Sequence, residues 1–231
     1  MEEKNTSKLK ELLEDKSSVK QDVFALTFEV FSELREVVGA ITKELFEHSK
    51  QADTRILVAM ESDGDYEAQM SLAGDTIVFH MHTNVFTFPS NHMVHKSPYV
   101  QNDPKNAYCG IINIYNFLTD SFRFQRVNDS GYLIGRIFVN RERHFFVEGK
   151  GRLGYLFNDF STSKLDPAML RTILIEALEH VVNFELYTPP YGAVNEVRLS
   201  DIQQLSQNLK LRTAKRLGFR FQAEEDGNIE F

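Results

Sequence analysis

The chain has no tryptophan, one cysteine and six prolines among its 231 residues. A lone cysteine, Cys109, excludes a disulfide framework within the chain, so the fold must rest on a packed core. No apolar run approaches the ~20 residues that cross a bilayer, and no membrane partner is expected. The opening MEEKNTSKLKELLEDK is charged and lacks the apolar stretch of a secretory leader. A cytoplasmic location is the expectation from these absences. Positive charge is also scarce: 26 Lys and Arg stand against 33 Asp and Glu, a net charge of −7. Nucleic-acid binders neutralise phosphates with Lys and Arg, so no nucleic-acid partner is expected.

Phenylalanine, by contrast, is abundant, with 19 copies. Each buries a large apolar area, which implies a well-filled core or a covered sheet. A hydrophobic fraction of 42% and a charged fraction of 26% are those of an ordinary globular chain. No internal repeat occurs, and no Pro-, Gly- or Ser-rich linker divides the chain. The expected organisation is a flexible charged lead-in over residues 1–20, with a short helix over Ser7–Glu14, and a single α+β domain over 21–231.

The apolar period then assigns the elements. Phe24, Thr27, Phe31, Leu34, Val38, Ile41 and Leu45 recur at spacings of three and four. That pattern predicts an amphipathic helix from Gln21 to Ser49, ~40 Å long. From Thr54 the period falls to two. Strands are predicted at Thr54–Met60, Tyr66–Leu72, Asp75–Phe88 (one long strand, or two joined at a bulge near Thr83-Asn84), Tyr108–Leu118, Phe122–Val127, Tyr132–Asn140 and His144–Glu148. Thr119-Asp120-Ser121, Asn128-Asp129-Ser130-Gly131 and Arg141-Glu142-Arg143 read as the turns between the later strands. The Pro-punctuated stretch 87–106 reads as loop. Asp166-Pro167 supplies an N-cap and a first-turn proline for a second helix over 166–187. Ser200–Asn208, Thr213–Leu217 and Phe219–Gln222 read as small terminal elements. Short links between consecutive strands predict an antiparallel meander of about six strands, covered by the two helices.

Candidate chemistry is sparse. His80 and His82 lie two apart on a predicted strand and share a face. His92 and His95 follow in the loop. Imidazoles are common ligands for zinc and other borderline metals. The spacing lacks helical support and an adjacent carboxylate base, so these residues read as half-exposed strand and loop histidines. A metal-dependent enzyme using the His80/His82 region is the alternative function. No cofactor is expected.

Arg136 stands on a strand whose neighbours two residues away, Ile134 and Phe138, are apolar. A three-residue turn would set it opposite Glu148, on a face shared with Tyr132 and Phe138. The other face, with Leu133, Ile137, Val139, Phe145 and Val147, reads as core. A guanidinium among aromatics needs a partner, because an unpaired buried charge is costly. Arg136, Glu148 and Tyr132 are therefore the candidate binding residues. Between Ser121 and Arg152, seven basic residues face three acidic ones. Such a segment could receive a small anionic ligand or an acidic protein partner. Gly149-Lys150-Gly151-Arg152-Leu153-Gly154 fits G-x-G-x-x-G, but YLFNDFSTS after it does not open the long helix of a dinucleotide site.

Several predicted strands are apolar on both faces, notably Tyr108–Leu118. Such a sheet must be covered on both sides by helices, a partner subunit or a ligand. The functional expectation is a non-catalytic ligand- or protein-binding domain acting as a homodimer.

Overall fold

The computed structural model describes residues 6–62, 64–184, 188 and 190–200. The architecture is α+β, with six antiparallel strands in the order β1-β2-β3-β4-β5-β6. They are β1 (Val58–Glu61), β2 (Glu67–Leu72), β3 (Asp75–Met81), β4 (Cys109–Leu118), β5 (Tyr132–Asn140) and β6 (Phe145–Gly149). Helix α1 (Ser7–Leu12) runs through a π-helical turn, Leu13–Ser17, into α2 (Ser18–Ala52). The short helices α3 (Pro98–Asn102), α4 (Thr119–Arg123) and α5 (Arg152–Leu156) lie between strands or after them. Helix α6 (Pro167–Asn183) and the turn α7 (Tyr191–Val194) follow among the described residues.

One sheet face carries Met70, Ile77, Phe79, Met81, Ile112, Ile114, Ile137, Val139 and Val147, all buried. Against it lie the α2 stripe of Val30, Phe31, Leu34, Val38 and Ile41 and the α6 stripe of Leu170, Ile173, Leu174, Ala177 and Val181. The three-and-four spacing puts each stripe on one side of its helix, and burying it supplies most of the helix's stability. Asp166 caps α6 by accepting the Met169 N–H at 2.7 Å, and Pro167 occupies the first turn. The β5–β6 turn is tied to α2 by Arg143, which donates to both oxygens of Glu33 at 2.9 and 2.6 Å and to Glu29 at 2.6 Å. The outer edge of β6 is blocked, since Val147 N–H donates to Phe157 O at 2.7 Å.

The other sheet face is covered over β4–β6 by the chain itself. Val94, Val100, Ala107 and Phe160 pack there on Cys109, Ile111, Phe138 and Phe146, with Phe86, Phe88 and Tyr99 at the margin. Phe138 and Phe146 stack at 4.7 Å between centroids.

Several expectations are corrected. Helix begins at Ser7, as expected for the short helix of the lead-in, because its Lys, Glu and Leu residues are good helix formers, but instead of ending near Glu14 it runs on through Leu13–Ser17 into α2. Phe122–Val127 is no strand. Thr119-Asp120-Ser121 opens helix α4 instead of a hairpin turn, and the following backbone folds back through Arg126 N–H to Ser121 O at 2.8 Å. The strand from Asp75 stops at Met81, with only an isolated bridge from Phe86 to Cys109 beyond it. The stretch 87–106 contains short helical turns. Helix α6 ends at Asn183, short of the expected 187, and the expected terminal elements beyond Ser200 lie outside the described residues.

Candidate functional site

Strand register places five polar side chains in one line across the second face. Glu67 pairs with His80, His80 with Asn113, Asn113 with Arg136, and Arg136 with Glu148. Directly opposed residues in antiparallel strands point to the same side. At about 4.8 Å per strand the row is roughly 19 Å long. On one side it borders the stacked Phe138 and Phe146. On the other it borders Val78, Tyr115 and Leu133, and beyond them Thr76 and Phe117.

The Arg136–Glu148 end of the row is an ion pair, and the guanidinium lies 5.3 Å from the Phe138 ring centroid. The two side chains remain 42% and 39% exposed, so water screens the pair. Tyr132 does not join them. The register between β4 and β5 shifts at Ile114/Tyr115, so that Gly135 pairs with Ile114 and Leu133 with Tyr115. This bulge adds a residue to β5 and swaps the faces before it. Ile134 enters the helix-covered core, Leu133 moves to the second face and is exposed, and Tyr132 turns to the helix side near Phe184, at 6.0 Å.

The four histidines do not converge, and three of them are engaged separately. His80 is half-buried on the sheet. His82 Nδ1 accepts the Asn84 N–H at 3.0 Å, and its ring meets Phe86 edge-on at 4.7 Å. His92 Nδ1 accepts the Val94 N–H at 3.3 Å, and the ring stacks on Phe88 at 4.6 Å. His95 Nε2 is bonded to the Phe88 carbonyl at 3.0 Å. Among the described residues, no group of three or more His, Cys, Asp or Glu is placed to hold a metal ion. Cys109 is sealed in the second core, where burial pushes its thiol pKa well up.

The basic segment is largely matched inside the molecule. Arg126 pairs with Asp129, Arg136 with Glu148, Arg141 with Asp103, Arg143 with Glu29 and Glu33, and Arg152 with Glu176. The glycine-rich segment leads into the single-turn helix Arg152–Leu156, too short to present a helix terminus to a pyrophosphate.

Where the second face is not covered by the aromatic core, residues 119–131 fold over it and leave a cleft of about 710 Å³. Val78, His80, Tyr115 and Phe117 form the floor; Phe122, Gln125, Arg126 and Asp129 stand on the overhanging lobe. Gly131 permits this closure, because a Cβ there would sit 2.4 Å from the Phe117 ring. Ser121 Oγ donates to Asp129 Oδ2 at 2.6 Å, holding the lobe in shape. Arg126 Nε is 2.8 Å from the same oxygen at an angle too bent for a hydrogen bond, so that contact is a charge pair. Gln125 adopts a left-handed backbone, φ 50°, at a cost of about 1–2 kcal/mol. Among the described residues, the side chains of His80, Tyr115 and Gln125 make no hydrogen bond, leaving their polar atoms free for a ligand.

The chain matches no family model, no curated protein and no solved structure.

Of the lobe residues that line the cleft, the sequence marks Arg126 only as part of the basic segment 121–152 and singles out no other by its charge or chemistry. Phe122 and Val127 read there as strand positions, and only the fold brings them over Val78 and Phe117.

Proposed function

We propose that the chain is a non-catalytic binding domain that takes a small molecule in the cleft between the second sheet face and the 119–131 lobe. The observation that carries this is the cleft's size and chemistry. Its volume of about 710 Å³ lies within the ~300–1,000 Å³ range of small-molecule pockets. Its walls are mainly aromatic and aliphatic, with a few convergent polar groups that have no protein partner. Left-handed Gln125 at the rim supports the same reading, since local backbone strain tends to gather at ligand sites.

The Arg136 end of the polar row is a weaker site for a small anion. Glu148 already matches the guanidinium, and an anion would have to displace it. A homodimer would need a surface other than the β4–β6 sheet face, because the chain covers that face with its own residues; sedimentation equilibrium measures this directly. Metal analysis addresses the enzyme alternative. About one equivalent of transition metal per chain would favour it.

A fragment screen followed by amide chemical-shift mapping tests the proposal. Hits should shift Val78, His80, Tyr115 and residues 121–129, and Phe122→Ala should weaken them without lowering the thermal midpoint by more than ~2 °C. Hits that map elsewhere, or no hits in the cleft, would overturn it.

A further inference from the structure

We infer that the cleft selects an organic cation with an apolar body, an alkyl- or arylalkylamine, with the ammonium at Glu67. The inference rests on the cleft being a ligand site and adds the class of ligand. Three formally charged side chains line the cleft: Glu67, Arg126 and Asp129. Arg126 and Asp129 match one another at 2.8 Å, and the Ser121 hydroxyl also uses Asp129 Oδ2. Glu67 has no ion pair among the described residues. Its Oε1 accepts from Gln69 Nε2 at 2.7 Å, and its Oε2 is left without a partner. The unmatched charge of the cleft is therefore negative.

The aromatic walls favour the same sign. Tyr115 and Phe117 lie 6.5 Å apart with planes inclined at 54°, and Phe117 and Phe122 lie 5.6 Å apart at 84°. Rings turned through such angles offer both edges and negative faces to one volume, and a cation is drawn to the faces. Val78 and Val127 extend the apolar surface for the rest of the molecule. A carboxylate would meet Glu67 unmatched and an Arg126 whose charge is already balanced. The net charge of −7 on the whole chain adds a long-range attraction of the same sign.

Three probes with one body and different heads separate the possibilities: 4-phenylbutylamine, 4-phenylbutan-1-ol and 4-phenylbutyrate. Each is titrated into the full chain, and into Glu67→Gln, by amide chemical-shift mapping. The amine should bind in the cleft about tenfold more tightly than the alcohol, and the carboxylate more weakly than either. Glu67→Gln should bring the amine to the level of the alcohol, and an amide spectrum that keeps the parent's dispersion and melting midpoint shows that the variant is folded. Equal or tighter binding of the carboxylate, or an amine preference that survives Glu67→Gln, overturns the cation assignment and leaves the cleft as the ligand site. Binding of none of the three in the cleft overturns the cation assignment, and an empty fragment screen alongside it overturns the cleft reading as well.

Discussion

Gly110→Ala probes how the long helix meets the sheet. Gly110 lies on the helix-covered face of β4, paired with Val139. A Cβ built there would stand 2.0 Å from Thr27 Oγ1, 2.6 Å from its Cγ2 and 2.7 Å from its Cβ. Rotating the threonine side chain relieves at most one of the first two contacts, since only one hydrogen shares its Cβ, and moving Oγ1 breaks its hydrogen bond to Val23 O, 2.6 Å long. It cannot relieve the third, because the Thr27 Cβ is fixed to the helix backbone. Helix α2 must therefore lift from β4 or the strand must bend. Overpacking typically costs about 1–3 kcal/mol, and a contact through a fixed atom belongs at the upper end. For a chain of this size each kcal/mol lowers the midpoint by about 2–4 °C, so the expected loss is about 6–12 °C. Thermal and urea melts followed by circular dichroism read this, with the urea slope unchanged. Thr27→Gly removes all three offending atoms and costs under ~1 kcal/mol in helix propensity. On that background Gly110→Ala should cost less than half as much. A midpoint within about 1 °C of the parent, or an equal loss in both backgrounds, would refute the packing described for α2 and β4.

Phe31 is fully buried in the main core, and Phe31→Ala should cost about 3–5 kcal/mol in urea unfolding. Arg136→Met should cost under ~1 kcal/mol, because the pair is more than a third exposed, and adding Glu148→Leu should recover part of it in a double-mutant cycle. Cys109 should resist a thiol reagent at pH 8 in the folded protein and react fully in denaturant, since burial favours the neutral thiol and blocks access. Asp166→Ala should lower stability by about 1 kcal/mol through loss of the cap on Met169 N–H.

The parts of the fold legible in the sequence are those set by short-range periodicity. The apolar stripe from Val23 to Ile41 defines α2, and Asp166-Pro167 marks the start of α6. The pairing of Arg136 with Glu148 follows from one hairpin turn, so local spacing reaches it. The remaining links of the polar row do not follow in that way. Glu67, His80, Asn113 and Arg136 lie on four strands, and their alignment depends on every intervening register. The bulge at Ile134 has one local mark, Gly135 inside the strand, but its consequence, the move of Tyr132 to the opposite face, is fixed only by the pairing with β4. Thr119-Asp120-Ser121 misled for a different reason. These residue types open helices as readily as they close turns, and the choice is made by the tertiary contacts of the lobe.

The sheet's strand order has a consequence for how the protein is made. Every strand pairs with the one before it, so the sheet can extend in step with synthesis, and most closures between neighbours are short. The exception is the passage from Met81 to Cys109, the longest loop to be closed before the next strand can dock. Helix α2 is complete before the first strand leaves the ribosome, while α6 comes only after the last. Until Pro167–Asn183 has been made, the part of the core that α6 covers has no second layer. The exposed apolar surface is thus greatest just before the α6 segment arrives, and nascent chains halted ahead of Pro167 should be the ones that aggregate or engage chaperones.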